Sequence, residues 1–239
     1  MIWIKQLTAN DVFIMGCGAT TGPNCPETSG PDHDLGQPPI LVNLANGKRA
    51  LVVGQKSGVA HALDPDNEGA ILWQTRVGAG GTLGGIQWGS ATDARNMYVA
   101  VSDLAFKDRA RDPSKGGGLF ALQLATGEKI GSASPSACPQ PRPGCSPGHS
   151  AAVTATPGAV FAGSLDGHIR AFSTANGKVI WDFDTAREFE TTNGDKSKGG
   201  SIDGPGPVIA NGMLFTNSGY GMWGGMPGNV LLAFSIDGK

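Results

Sequence analysis

No run of 18 or more apolar residues occurs in the 239-residue chain, so no transmembrane helix is expected. Neither sign of charge dominates. Lys and Arg number 18 against 20 Asp and Glu, and the net charge is −2. With no basic stripe, nucleic acid is not an expected partner. The sequence has no G-x-S-x-G elbow, no H-E-x-x-H, no P-loop and no C-x-x-C-H, which removes the corresponding hydrolase, zinc-protease, NTPase and haem readings. No C-x-x-C pair and no histidine at ligand spacing appear, so zinc is not expected. Cys17 and Cys25 are near neighbours, as are Cys138 and Cys145, in Gly/Pro-rich stretches. Two readings fit them: small disulfide-closed loops in an oxidising compartment, or four reduced surface thiols. The start, Met1 to Asp11, has no basic segment, apolar core or cleavage site and is not a signal peptide. The protein is then cytosolic, or its N-terminus lies upstream. The cysteines favour the second.

What is abundant is glycine, 38 residues, with 16 prolines, a composition of many tight turns. One unit organises them. Residues 158–183 read as strand, Leu165-Asp166-Gly167 turn, strand, Ala175–Lys178 turn, and a last strand with Trp181. Asp-Gly between short apolar runs signals a hairpin. The unit recurs at 50–73, 118–131 and 229–239, aligned on Ala62, Ala121, Ala171 and Ala233. The Trp column reads Trp73, Gly131, Trp181, and the sequence stops before the fourth position. Trp3 reads as part of a last strand, Met1–Gln6, whose own repeat is missing. Such a repeat predicts an all-β fold, a β-propeller. The expected organisation is a single partial propeller domain over 1–239, with repeats near 1–15, 40–77, 97–131, 158–183 and 208–239.

Three Gly-rich loops, 78–93, 191–207 and 217–229, each precede a repeat's final hairpin and are expected to gather on one face. That face would carry Trp88, Asp203 and Trp223. Gln87 and Trp88 sit among six glycines. The indole is placed either to stack on a planar ligand or to fill a crossover between blades. Lys56, in G-Q-K-S-G, is expected to be solvated at a hairpin tip or, on the axis face, to neutralise a carboxylate or quinone oxygen. Asp32, Asp34, Asp103 and Asp203 lie near Gly-rich loops, as Ca²⁺ ligands or as turn caps. Residues 103–117 read as a charged surface loop. His61 and His168 fall in strand patterns and read as structural, whereas His33 and His149 are in loops and open to a functional role.

The pattern A-x-x-x-A-N-G-K-V-I-W resembles the tryptophan-docking motif of quinoprotein alcohol dehydrogenases, which bind pyrroloquinoline quinone (PQQ) in an eight-bladed propeller. The stretches W-I-K-Q-L-T-A-N-D-V-F, G-G-T-L-G-G-I-Q-W-G-S-A-T-D and G-G-S-I-D-G-P-G-P are similar to the polyvinyl alcohol dehydrogenase branch, nearly end to end. The resemblance implies about four blades of an eight-bladed ring, its C-terminal half. It also implies oxidation of an alcohol substrate such as polyvinyl alcohol, with PQQ and Ca²⁺, transfer of electrons to cytochrome c, and a periplasmic or secreted location. By similarity Lys56, Gln87 and Trp88 are cofactor-binding, Gln87 replacing the more usual Asn. Asp11 matches a family Asp and is the one candidate base. No vicinal Cys-Cys pair is present, and the Ca²⁺ ligands are expected outside this chain. The chain is expected to be a partial quinoprotein, inactive alone. A non-catalytic propeller scaffold and a closed four-bladed ring are the competing readings. Open edges of a half-ring would invite self-association.

Overall fold

The computed structural model describes residues 1–17, 22–134, 138 and 142–237. Among these there is no α-helix, and the only helical turn is 3-10, Met222–Gly224. Sheet 1 is formed by β1 (Ile40–Asn43), β2 (Arg49–Gly54), β3 (Val59–Asp64) and β4 (Ala70–Arg76). Sheet 2 uses β5 (Ala91–Thr92) and β6 (Asn96–Ala100), then β9 (Leu119–Gln123) and β10 (Lys129–Ala133). A separate hairpin, β7 (Phe106–Lys107) and β8 (Ala110–Arg111), is inserted between β6 and β9. Sheet 3 is β11 (Val153–Thr156), β12 (Ala159–Gly163), β13 (His168–Ser173) and β14 (Val179–Asp184). A second hairpin, β15 (Glu188–Glu190) and β16 (Lys196–Lys198), precedes sheet 4. That sheet contains β17 (Val208–Ala210), β18 (Met213–Ser218) and β19 (Val230–Ser235). Every pairing is antiparallel between sequence neighbours, except that β6 pairs with β9 across the inserted hairpin. This is the meander of a propeller.

Turn chemistry sets the hairpins. Asn211 and Gly212 both take positive φ, 50° and 75°, as a two-residue turn matching strand twist requires. Register then fixes the Trp column. Trp73 faces Ala62, Gly131 faces Ala121 and Trp181 faces Ala171, and each sheet has its register shift beside that pair. A small residue opposite leaves room for an indole to lie along the sheet.

Three apolar cores form where successive sheets meet. The first joins Val52, Ala62 and Trp73 to Met97, Val99 and Leu122. The second joins Tyr98, Ala100 and Leu119 to Val160 and Phe172. The third joins Ile169 and Ile202 to Leu214 and Phe234. At the first junction the Trp73 indole donates to the Leu124 carbonyl at 2.8 Å. It lies so close over Gly127 (φ 73°) that a Cβ there would be 2.6 Å from the ring. Only glycine serves both demands. Trp3 repeats the contact, donating to the Pro65 carbonyl at 3.2 Å above Gly69.

The structure changes two local expectations and narrows two more. Met1–Gln6 is not a strand, because no described residue pairs with it; Trp3 docks from irregular chain. The 103–117 stretch is more than a surface loop, since it contains the β7–β8 hairpin and buries Arg111 at 4% exposure. Lys56 is not solvated at its hairpin tip but 9% exposed. His149 is wholly interior, against the Phe172 ring. Both cysteine pairs are disulfides, Cys17–Cys25 and Cys138–Cys145, with Cα separations of 5.5 and 6.4 Å. No helix of the described residues is long and apolar enough to cross a membrane.

Candidate functional site

Three segments that cross between sheets end in the same way. The Ile86 N–H donates to the Gln55 carbonyl, His149 N–H to Val101, and Ile202 N–H to Ser164, at 3.2, 3.0 and 3.1 Å. The residues that follow are Gln87, Ser150 and Asp203, and all three line one small cavity of about 30 Å³. Trp88, Tyr220 and Trp223 complete its polar and aromatic wall. The three Gly-rich loops therefore do converge, and they bring Trp88, Asp203 and Trp223 together.

The wall is held from behind. The Trp88 indole donates to Asp203 Oδ1 at 3.0 Å, which also accepts the Gly204 N–H at 2.8 Å. Asp203 is 5% exposed, while the Trp88 and Trp223 rings remain 46% and 42% exposed. Trp223 has a left-handed backbone, φ 52°, a costly conformation for a bulky residue. Arg111 stabilises it by donating Nε to the Trp223 carbonyl at 3.0 Å and a terminal nitrogen to Met222 at 2.8 Å. The other terminal nitrogen of Arg111 is buried without a partner. Burial lowers the guanidinium pKa from its ordinary value, and the Asp203 charge opposes that fall.

Asp103 organises the loop before Trp88. Its carboxylate accepts N–H bonds from Ala79, Gly80 and Gly85 at 2.8, 3.1 and 2.8 Å. Lys56 is packed behind the same loop, its carbonyl accepting the Gly81 N–H at 3.0 Å. Its ammonium binds Asp32 at 2.7 Å and Asp34 at 3.1 Å. Burial raises the Asp32 pKa, and the Lys56 hydrogen bond lowers that of exposed Asp34. Asp11 lies one layer further back, accepting the Asp32 and His33 N–H groups at 3.0 and 2.6 Å. Lys56 and Asp11 thus form one chain of contacts through Asp32, separate from the cavity lined by Gln87 and Trp88. Arg111 and Asp103 carry much of the site's geometry; Asp103 does so as the turn cap that its place beside a Gly-rich loop suggests, whereas nothing in the sequence singles out Arg111. Arg111 reaches Trp223 over 112 residues, a distance at which no local pattern gives a signal.

No family model matches the chain. It is 46% identical over 255 residues to polyvinylalcohol dehydrogenase from Pseudomonas sp and 44% identical over 252 residues to that of Sphingopyxis sp. (strain 113P3). Each match covers 99% of this chain and 38% of the relative. The chain is a homologue of the polyvinylalcohol dehydrogenases. It spans about two fifths of their length. Among solved structures, the quinohemoprotein alcohol dehydrogenase from Comamonas testosteroni superposes with a TM-score of 0.53 at 15% identity, over 87% of this chain and 34% of that one. At that identity the likeness establishes the propeller fold and no more.

Proposed function

We propose that this chain is part of a PQQ-dependent alcohol dehydrogenase acting on a secondary alcohol such as polyvinyl alcohol, with cytochrome c as electron acceptor. The observation that carries this reading is the end-to-end 46% identity to a polyvinylalcohol dehydrogenase. In this reading sheets 1 to 4 are consecutive blades of a longer ring, the C-terminal half of an eight-bladed propeller. The two disulfides suit a periplasmic or secreted enzyme.

The residues fit one wall of a site for a flat, oxygen-rich cofactor. Two half-exposed indoles offer stacking faces, and Gln87 and Asp203 offer polar edges beside them. A cavity of about 30 Å³ cannot enclose a tricyclic quinone, so the opposite wall belongs to the part of the relatives that this chain does not cover. When bound, PQQ supplies the two-electron acceptor for alcohol oxidation. This chain's contribution is to orient and desolvate. Trp88 presents its ring, fixed by Asp203. Gln87 offers an amide at the edge. Lys56 lies outside the cavity lined by Gln87 and Trp88, with two of its three donors committed to Asp32 and Asp34, so any contact with the cofactor would use its third N–H. The local charge of one ammonium against two carboxylates does not favour an added anion. Asp11 is read as a positioning residue for the 30–34 loop rather than as the base. Among the described residues no group of three His, Cys, Asp or Glu side chains is set to hold a metal, and this reading takes the Ca²⁺ ligands to lie in the part of the relatives that the chain does not cover.

The test is a PQQ titration in the presence of Ca²⁺, followed by tryptophan fluorescence, on the unsubstituted chain and on Trp88→Ala. Saturable quenching is expected, with affinity weaker in the variant by about two- to tenfold, as one lost stacking contact implies. A variant that binds as well as the unsubstituted chain would sink the assignment of Trp88, and a folded chain that is not quenched would overturn the reading of Trp88 and Gln87 as a wall sufficient to hold PQQ.

A further inference from the structure

The third and fourth strands of sheets 1 and 2 present the same docking slot to the next sheet, and in one case no side chain of the described residues fills it. At the first junction the slot is filled by Trp73, donating to Leu124 above Gly127. At the second, register puts Gly131 in that position, opposite Ala121. A Cβ on Gly131 would meet only the Ala121 Cβ, at 4.0 Å. Above Gly177, the counterpart of Gly127, a Cβ would meet only the Ser132 carbonyl, at 3.8 Å. Between them is a cavity of about 160 Å³, lined by Tyr98, Phe120, Ile130, Phe172 and the 173–177 turn.

The acceptor is also in place. Leu124 and Thr174 are equivalent in their turns, each three residues before the left-handed glycine. Each donates its N–H to the loop of its own sheet, Leu124 to Arg95 and Thr174 to Gly158, at 2.8 and 3.1 Å. The Leu124 carbonyl receives the Trp73 indole, whereas among the described residues no donor reaches the Thr174 carbonyl. A space of about 150 Å³ is enough to take up a single aromatic ring of matching shape, and this cleft offers that volume between Phe120, Ile130 and Phe172, with Ser132, Ser173 and Asn176 also in its lining. A polar acceptor at one end adds direction.

We propose that the slot beneath Gly131 is a binding site for an indole-sized planar heteroaromatic molecule. Its ring would lie between Ala121 and Gly177, and its N–H would donate to the Thr174 carbonyl. The site is distant in sequence and lining from the Trp88 wall and does not depend on the dehydrogenase reading.

The experiment is a titration of the chain with free indole, read by calorimetry and by amide ¹H–¹⁵N shifts. One-site saturable binding is expected, with the largest shifts at Gly131, Thr174 and Gly177. 1-Methylindole, which has no donor, is expected to bind about tenfold more weakly, the worth of one hydrogen bond. Gly131→Trp, which puts the ring there covalently, is expected to abolish binding. Absence of saturable binding, shifts centred elsewhere, equal affinity for 1-methylindole, or undiminished binding by folded Gly131→Trp would each overturn the proposal. The shift map on the unsubstituted chain decides the matter even if the variant does not fold.

Discussion

The first and second junctions between sheets are built on one plan and filled differently. At the first, Trp73 closes the far end and Ile86 the near end, both in one apolar core. At the second, the same two places are taken by Gly131 and His149, so the far end has no side chain and the near end has a buried imidazole. The third junction returns to Trp181 and Ile202. The plan therefore tolerates both exceptions, and both fall at one junction. What offsets them lies in the crossing segment itself, where Cys138–Cys145 closes a short loop and Arg142 pairs with Asp184 at 2.8 Å. The comparison implies that the second junction, whose apolar core lacks an indole, leans more on covalent closure and on pH than the first does.

The sharpest way to break the comparison is to remove the indole that the first junction has and the second lacks. Trp73→Ala takes away a ring that is 8% exposed and leaves the Leu124 carbonyl without its donor. The expected loss is about 3–5 kcal/mol, the usual cost of truncating a buried tryptophan, read as a lower denaturation midpoint. A loss below about 1 kcal/mol would show that the slot adapts when empty. The two junctions would then differ in sequence only.

The second prediction concerns His149. Burial depresses its pKa to about 4, from an ordinary 6.5. The folded state thus requires neutral imidazole, while the unfolded chain takes up a proton below pH 6.5. Between about pH 6.5 and 4 the unfolded state binds more protons, so stability falls as pH falls through that window. Each pH unit is worth up to about 1.4 kcal/mol per such group. His61, also buried and depressed to about 4, contributes a similar slope from within sheet 1. Replacing His149 by isoleucine, the residue found at both equivalent places, is expected to halve the slope between pH 4 and 6.5 while leaving stability at pH 8 equal or higher. Urea denaturation at a series of pH values measures both. An unchanged slope would mean that His149 does not titrate with unfolding.

Much of this was legible in the sequence, for a reason that also marks its limit. The Trp column, with its exception at Gly131, follows from turn residues and period-two alternation, both of which are local. The converging loops of Trp88, Asp203 and Trp223 followed from the repeat, because equivalent loops of successive sheets meet on one face. The ion pairs did not. Lys56 finds Asp34 across 22 residues and Arg111 finds Trp223 across 112, and periodicity says nothing about which charge turns inward. Lys56 reads as solvated from its turn alone; it is buried because Asp11 fixes the loop that brings Asp32 and Asp34 over it. Met1–Gln6 shows the opposite error. Its residues suit a strand, but a strand exists only with a hydrogen-bonded neighbour.

The smallest expected effect tests the comparison from the other side, by making the second junction like the first. Gly131→Trp places an indole opposite Ala121, at the register position that Trp73 holds opposite Ala62. The counterpart of the Leu124 carbonyl that Trp73 uses is that of Thr174. Two opposing terms decide the size of the gain. Filling apolar space and replacing a flexible glycine both stabilise, by amounts that commonly total about 0.5–2 kcal/mol. Against this, the side chains that border the slot have settled without a ring and must give way. With about 160 Å³ available, the filling term should win by about 1 kcal/mol, seen as a midpoint a few degrees higher. The same substitution should also lessen the loss caused by opening Cys138–Cys145, because the core of the junction would then hold an indole besides its present packing. A destabilised Gly131→Trp would show that the lining of the slot is fixed by the sheets around it, and that the missing tryptophan was never simply interchangeable with those on either side.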